Sequence, residues 1–380
     1  MKHTAKIISI YASDTSGVCS MLYELGGLVV VHDASGCNST YSTHDEPRWY
    51  HQDSMIYISA LTEMDAILGN DARFVEDLVR AAEELSPRFI AICGSPMPMM
   101  IGTDFDALAS EVESRTGLPV FGLHTNGMNS YLAGASQALC AYLQRFCTAG
   151  SPQKRRVNLI GATPLDFSLN GTVESICDWL QRNGFIVNSC MAMGSSPEAI
   201  SAAGNAGVNL VISGCGRAAA EWLRQTFGTP WVEGVPFGQQ FAEDLLKRLE
   251  IAERENRCIP LPASGFSGEK GTVCVVGEEL TACSFARALE LELQRPVRAL
   301  IPQALSSGRH SLNDLIVPCE DSMAEAFAES EWIIADPLYE PLIPAGAAFR
   351  RYPHEAFSGR CFSSGIPNLI CRSIKQEFSL

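Results

Sequence analysis

The chain has 380 residues, enough for two or three α/β domains, and its 46% apolar and 19% charged residues are an ordinary balance for a folded protein. Its net charge of −15 argues against nucleic acid or an anionic membrane as a partner, because both need a basic surface. No apolar run approaches a membrane span and no signal peptide opens the chain, so we expect a cytoplasmic protein whose 14 cysteines are reduced thiols.

Short apolar runs alternate with amphipathic stretches in the first 150 residues, and this alternation predicts strands that alternate with helices. The predicted strands cover residues 6–11, 28–31, 89–93 and 120–123. The predicted helices cover residues 19–25, 71–85, 105–116 and 132–146. Residues 12–18 are predicted as a polar loop, and residues 94–100 as irregular because they contain two prolines.

The same alternation restarts twice, after linkers at residues 148–154 and 260–271 that are rich in Gly, Ser and Pro. This pattern is typical of parallel, doubly wound sheets, so the predicted fold class is α/β with three Rossmann-like domains around a central crevice. The predicted domains are residues 1–150, 151–266 and 267–380.

The most informative stretch lies near the start of the chain. The β-branched run from Leu28 to Val31 reads as a buried strand, a turn of small residues follows, and Cys37 stands directly after it. A thiol on a tight turn lies where backbone amides cluster, which suits a thiolate ligand. The alternative is a packed free cysteine. No Cys-x-x-Cys pair occurs, so any metal site must combine cysteines that are distant in sequence.

Several segments resemble the nitrogenase component 1 superfamily. The run from Val31 to Cys37 is similar to its His-Gly-x-x-Gly-Cys segment. Further similar pieces follow in the family's order at residues 58–69, 89–104, 208–238, 335–338 and 353–360. That family includes the molybdenum–iron protein subunits, the dark protochlorophyllide reductase subunits, a nickel-tetrapyrrole cyclase and cofactor-assembly scaffolds. The resemblance implies the three-domain architecture predicted above.

The resemblance also implies an iron–sulfur cluster, of four irons or more, held at a subunit interface by cysteines from three places in the first domain. Cys37 matches the second place in register. The first place falls on Ala12, where the nearest thiol is Cys19, and the third falls on Pro96, where the nearest thiol is Cys93. Cys19 and Cys93 can serve only if their loops differ from the family's. Otherwise they pack in a helix and at a strand end.

A second site is expected in the central crevice. Cys215 and Arg217 follow a predicted strand in a Gly-rich turn, and a family cysteine near this place holds a cofactor. If the Cys215 sulfur is buried among apolar groups instead, it merely packs. His354 and Cys361 flank the piece that resembles the family's cofactor-histidine region, although neither aligns with that histidine. His32 could bond a cluster sulfide or cap its turn, and residues 45–48 are expected to form a solvated loop or an interface.

The resemblance therefore implies an oxidoreductase subunit. It would pair with itself or a paralogue, take electrons from an ATP-dependent iron protein, and deliver them to a substrate or a second metallocluster in the crevice. The alternative is a scaffold or carrier that holds a metallocluster or tetrapyrrole without reducing it. The substrate is not specified by the sequence.

Overall fold

The computed structural model describes residues 6–34, 41, 45–148, 150–266, 268–305 and 312–380. Its strands form three separate sheets in which every strand pair is parallel. The first sheet has the order β2-β1-β3-β4, where β1 is Leu28–His32, β2 is Ile56–Ile58, β3 is Ile90–Gly94 and β4 is Val120–Leu123. Its helices are α1 (Asp14–Leu22), α2 (Glu63–Leu68), α3 (Asp71–Leu85), α4 (Pro96–Ile101), α5 (Phe105–Thr116) and α6 (Tyr131–Phe146).

The second sheet has the order β6-β5-β7-β8. Its strands are β5 (Gln153–Ile160), β6 (Ile186–Cys190), β7 (Ala206–Val211) and β8 (Trp231–Glu233). Its helices are α7 (Pro164–Phe167), α8 (Thr172–Arg182), α9 (Pro197–Ser201), α10 (Arg217–Phe227) and α11 (Gln239–Glu255).

The third sheet has the order β11-β10-β9-β12-β13. Its strands are β9 (Val273–Val276), β10 (Val297–Ile301), β11 (Asp314–Ile316), β12 (Trp332–Ala335) and β13 (Ala348–Arg351). Its helices are α12 (Glu279–Leu293), α13 (Glu320–Ala328), α14 (Glu355–Ser358) and α15 (Ile374–Phe378).

The predicted α/β class with parallel sheets is confirmed. Helices cover both faces of the central strands. Five strands are therefore buried along their length or at the end that enters the core, namely β1, β3, β5, β7 and β9. In each sheet the strand order reverses beside the first strand, and ligands of open α/β sheets bind outside the carboxyl ends of the strands at such a point. The domain boundaries stay a prediction.

Three segments of the first domain differ from the prediction. Residues 12–18 were expected to be a polar loop, but α1 begins at Asp14 and all of its residues are buried. Residues 6–11 form no strand; instead the backbone N–H groups of Lys6, Ile7 and Ile8 donate to the Glu320 carboxylate. Residues 94–100 were expected to be irregular, but α4 begins at Pro96. Both prolines lie in its first turn, where backbone N–H groups have no helical partner to lose.

Of the two alternatives predicted for residues 45–48, the solvated loop is wrong, and the interface stays a prediction. Arg48 is 2% exposed and Glu46 is fully buried, with 2.7 Å between Arg48 Nε and Glu46 Oε1. Arg48 Nη1 lies 2.8 Å from Glu24 Oε1 and donates to the carbonyl of Ala192, while Nη2 donates to the carbonyl of Ser20. The guanidinium thus joins α1 to the turn after β6. Its buried charge is stable there because acceptors surround it.

None of the helices in the described ranges has the length and apolar character that a membrane crossing requires.

Candidate functional site

Two of the predicted cluster cysteines meet inside the first domain. Cys19 lies on α1 and Cys93 lies on β3, and their side chains interact within one apolar cluster. Both thiols are fully buried in the core on one face of the first sheet. The contact with Cys93, followed by burial, raises the pKa of Cys19 well above its usual value. Cys19 is therefore held protonated until a metal or another strong electrophile replaces its proton.

Cys37, the residue that matches the family in register, lies outside the described residues. Both ends of its segment are nevertheless placed. At one end, the Ser95 hydroxyl donates to the Asp33 carboxylate, which holds the end of β1 beside the end of β3. At the other end, the Ser16 hydroxyl donates to Asp45 Oδ2 at 2.6 Å, beside α1. Asp33 and Asp45, described residues on either side of Cys37 in sequence, therefore both lie at the edge to which α1 and β3 bring Cys19 and Cys93.

A second group of buried polar residues surrounds the crevice between the second and third sheets. A small cavity is lined there by Asp166, Phe167, Thr172, Phe237, Val276, Gly277, Thr281, Ala282, Tyr352, Pro353, His354, Ile366 and Pro367. It lies at the carboxyl ends of β5 and β9, the place expected for a ligand in this class of fold.

Asp166 is the centre of the polar groups in this cavity. The Tyr131 hydroxyl donates to Asp166 Oδ1 at 2.5 Å, and the Ser213 hydroxyl donates to Asp166 Oδ2 at 2.8 Å. His354 Nε2 lies 3.3 Å from Asp166 Oδ1, an ion-pair distance. Burial acts to lower the pKa of His354, but the charges of Asp166, Asp336 and Glu278 outweigh it, so the pKa is raised. The cavity wall therefore carries an imidazole that keeps its proton more readily than usual.

The residues around the cavity include two further buried carboxyl groups, Glu278 and Glu355. Burial, followed by the charge of Asp166, raises the pKa of Glu278 to about 7, although it accepts from the backbone N–H groups of Gly214, Leu280 and Thr281. Burial also raises the pKa of Glu355 to about 7. Groups of this kind exchange protons near neutral pH, which is typical of sites where protons are moved.

Comparisons with known proteins bear on this geometry. The family model described as "Nitrogenase component 1 type Oxidoreductase" matches residues 15–298, which is more than half of the chain. The chain belongs to the nitrogenase component 1 type oxidoreductases.

Curated members of this family are distant relatives. The nitrogenase iron-molybdenum cofactor biosynthesis protein NifE of Methanosarcina barkeri is 23% identical over 202 residues, which cover 50% of this chain and 43% of the relative. A light-independent protochlorophyllide reductase subunit of Prosthecochloris aestuarii is 27% identical over 214 residues, covering 54% of this chain and 39% of the relative. The chain thus spans less than half the length of these curated relatives.

A solved structure, "Nitrogenase Cp1 at pH 6.5", covers more of the chain. It superposes with a TM-score of 0.69 and covers 98% of this chain and 95% of its own, at 14% sequence identity. At this identity the likeness shows the fold, and it agrees with the three parallel sheets.

In this nitrogenase-type fold, the residues predicted for the second site are not all brought together. Cys215 is fully buried in an apolar cluster, its sulfur is 4.0 Å from the carbonyl oxygen of Gly161, and it does not line the cavity. This is the placement expected of a packing residue. Arg217 pairs with Glu233 at 2.8 Å and Glu279 at 2.7 Å. Of the two predicted crevice residues in the C-terminal region, His354 lines the cavity.

Cys361 and His32 lie apart from this cavity. Cys361 is exposed and is absent from the cavity lining. His32 Nδ1 lies 2.8 Å from the Ser59 hydroxyl oxygen, its ring packs against Phe74 at 4.3 Å, and burial lowers its pKa. His32 is thus held at the opposite side of β1 from the Cys19–Cys93 contact.

The carboxylates of the crevice were not among the site residues predicted from the sequence. Asp166 follows the turn after β5, and Glu278 follows β9 by two residues. Each is an acidic residue just beyond the carboxyl end of a buried strand, and that position is the pattern that could have identified them. Tyr131 had no such pattern, because its hydroxyl reaches Asp166 from a helix of the first domain.

The raised pKa of Glu355 predicts a dependence of stability on pH. The native state binds this proton more tightly than the unfolded chain does. Protonation of Glu355 therefore stabilises the native state fully below about pH 4.5, and this stabilisation is lost as the pH rises through about 7. Glu355→Gln should therefore flatten the decline in the free energy of unfolding between pH 5 and 8, by at most about 3 kcal/mol.

Urea unfolding at several pH values measures this change, and Glu243→Gln is the control because Glu243 is exposed. Equal pH profiles for Glu355→Gln and the parent would contradict the raised pKa.

Proposed function

We propose that the chain is a subunit of a nitrogenase-like reductase. It binds an iron–sulfur cluster through Cys19, Cys37 and Cys93 and accepts electrons there from an ATP-dependent iron protein. A substrate or second metallocluster in the crevice receives them. The observation that carries this proposal is the contact between the Cys19 and Cys93 thiols, at the edge where both ends of the Cys37 segment are anchored.

The thiol chemistry of this edge fits such a cluster in part. Iron–sulfur clusters take thiolate ligands, commonly four. Among the described residues no group of three or more Cys, His, Asp or Glu side chains is arranged to hold a metal. Cys37 would supply a third thiolate beside Cys19 and Cys93, and a partner subunit, identical or paralogous, would complete the set. When bound, the cluster supplies low-potential electron transfer.

Metal binding at this edge requires the release of protons. Cys19 and Cys93 must lose their protons to bind, and the raised pKa of Cys19 opposes that loss. The affinity for iron should therefore increase with pH. In the crevice, the His354 imidazole lines the cavity with Nε2 3.3 Å from Asp166 Oδ1, and its raised pKa favours the protonated form. That arrangement suits a ligand that gains protons as it gains electrons.

A test of electron delivery separates this proposal from its rival. Anaerobically reconstituted protein is mixed with a reduced ATP-dependent iron protein, and the visible absorbance and paramagnetic resonance spectrum are followed. We expect reduction with MgATP and none with MgADP. Protein that dithionite reduces, but that stays oxidised with the iron protein and MgATP, would contradict the reductase role.

The rival is a scaffold or carrier for a metallocluster or tetrapyrrole. The placement of Cys215 favours it, because a crevice without a thiolate from Cys215 holds a metal-bearing ligand less firmly and releases it more readily. One of the relatives is also named as a cofactor biosynthesis protein. Under this rival the protein would bind and release its ligand unchanged, whether or not MgATP is present.

A further inference from the structure

A second pair of cysteines meets in the second domain, apart from the cluster cysteines. Cys177 lies on α8, and Cys190 is the last residue of β6. Their side chains interact at the margin of the core that the second and third domains share. Cys190 is 5% exposed, whereas Cys177 is only half-buried. A small reagent can therefore reach Cys177 and then finds Cys190 directly behind it.

The surroundings of the two thiols give them different reactivities. Cys177 is half-buried, whereas Cys190 is 5% exposed, so a reagent in solution meets the Cys177 sulfur first. The interaction between the two thiols lowers the pKa of Cys177 and raises that of Cys190, which favours the same order. Cys177 is thus the nucleophile of the pair, and Cys190 is placed to attack second.

The Cys19–Cys93 pair provides a comparison within the same chain. Its two thiols also interact, but both are fully buried, so a reagent in solution reaches them less readily than it reaches Cys177. Among the described residues, no cysteine is in a disulfide. Accessibility therefore distinguishes the two pairs, and of these two only the pair on α8 and β6 combines a reachable thiol with a buried partner.

We propose that Cys177 and Cys190 form a redox-active dithiol that exchanges with low-molecular-weight disulfides, at a site separate from the cluster cysteines. The Cys177 thiolate attacks one sulfur of the small disulfide, whose S–S bond breaks and releases one thiol. The Cys190 thiolate then attacks the Cys177 sulfur of the mixed disulfide and releases the second thiol. The two cysteines are oxidised by two electrons and the small disulfide is reduced to two thiols.

The position of Cys190 determines which contacts its oxidation would affect. In the turn that follows Cys190, the Ala192 carbonyl accepts from Arg48 Nη1 at 2.9 Å, and the Gly194 N–H donates to Glu24 Oε2 at 2.7 Å. Arg48 also holds the carbonyl of Ser20 on α1, the helix that carries Cys19. A Cys177–Cys190 bond would therefore form beside the turn that Arg48 joins to the first domain.

The test exposes the reduced, anaerobic protein to oxidised glutathione and identifies the products by peptide mass spectrometry. We expect a peptide pair linked through Cys177 and Cys190, formed about tenfold faster than glutathione adds to Cys258, a half-buried single cysteine. In Cys190→Ala, a glutathione adduct should accumulate on Cys177 instead, and in Cys177→Ser both products should disappear.

Two results would overturn the proposal: the absence of the linked peptide, or modification of Cys177 no faster than that of Cys258. Circular dichroism of each variant checks that the fold is intact. Because the assay counts thiols and needs no iron, its outcome is independent of whether the protein is a reductase or a scaffold.

Discussion

Arg48→Met is expected to lower the free energy of unfolding by about 3–5 kcal/mol, because the substitution leaves the buried Glu46 carboxylate without its cation. The change also removes the donors that the carbonyls of Ser20 and Ala192 now accept from. Methionine keeps most of the side-chain volume, so the lower free energy of unfolding reflects the missing charge and hydrogen bonds rather than a cavity. Urea unfolding under reducing, anaerobic conditions measures it.

The matched control for Arg48 is Arg80→Met on the surface of α3. Arg80 pairs with Asp77 at 2.6 Å, but both side chains are largely exposed, so its loss should cost less than about 1 kcal/mol. If Arg48→Met cost no more than Arg80→Met, Arg48 would not be the tie between α1 and the turn after β6.

The second large effect is expected at the crossing of α1 and α6. A Cβ atom at Gly134 would overlap the carbonyl oxygen of Asp14, and one at Gly17 would overlap that of Tyr131. Both obstacles are backbone atoms of the facing helix, so neither can move away without separating the helices. We expect Gly134→Ala to cost at least about 3 kcal/mol and to shift Tyr131 away from Asp166.

Thermal unfolding of Gly134→Ala, beside Gly265→Ala, checks this expectation. A Cβ at Gly265 would meet nothing within 4 Å, so that variant should stay within about 0.5 kcal/mol of the parent. Equal stability of the two variants would show that α1 and α6 are less tightly packed than the structure has them.

The sheets were predicted well because each strand and each helix has a pattern within its own stretch of sequence. A buried parallel strand such as β1 or β3 is a continuous apolar run, and the helix that follows it has its own period. The same reasoning failed for residues 6–11, whose β-like composition has no partner strand, and for α4, whose two prolines occupy its first turn. In both cases the outcome depends on hydrogen-bond partners that composition does not reveal.

The candidate site was less predictable because its contacts join distant parts of the chain. Cys19 was selected only as the nearest thiol to an expected position, yet it meets Cys93 because α1 packs on the sheet that contains β3. Arg48 was expected in a solvated loop or an interface because charged residues are mostly exposed, and its partners Glu24 and Ala192 are far away in sequence. Asp166 and Tyr131 likewise meet only when the first and second domains pack together.

The most direct test of the central claim is the iron and sulfide content of anaerobically reconstituted protein. The double variant Cys19→Ser, Cys93→Ser is compared with the parent and with a control, Cys140→Ser, Cys258→Ser, which removes two half-buried cysteines outside the proposed site. We predict that the parent and the control bind iron and sulfide equally and that the Cys19, Cys93 variant loses both while its circular dichroism is unchanged. Full iron and sulfide content in a folded Cys19, Cys93 variant would contradict the proposed cluster site.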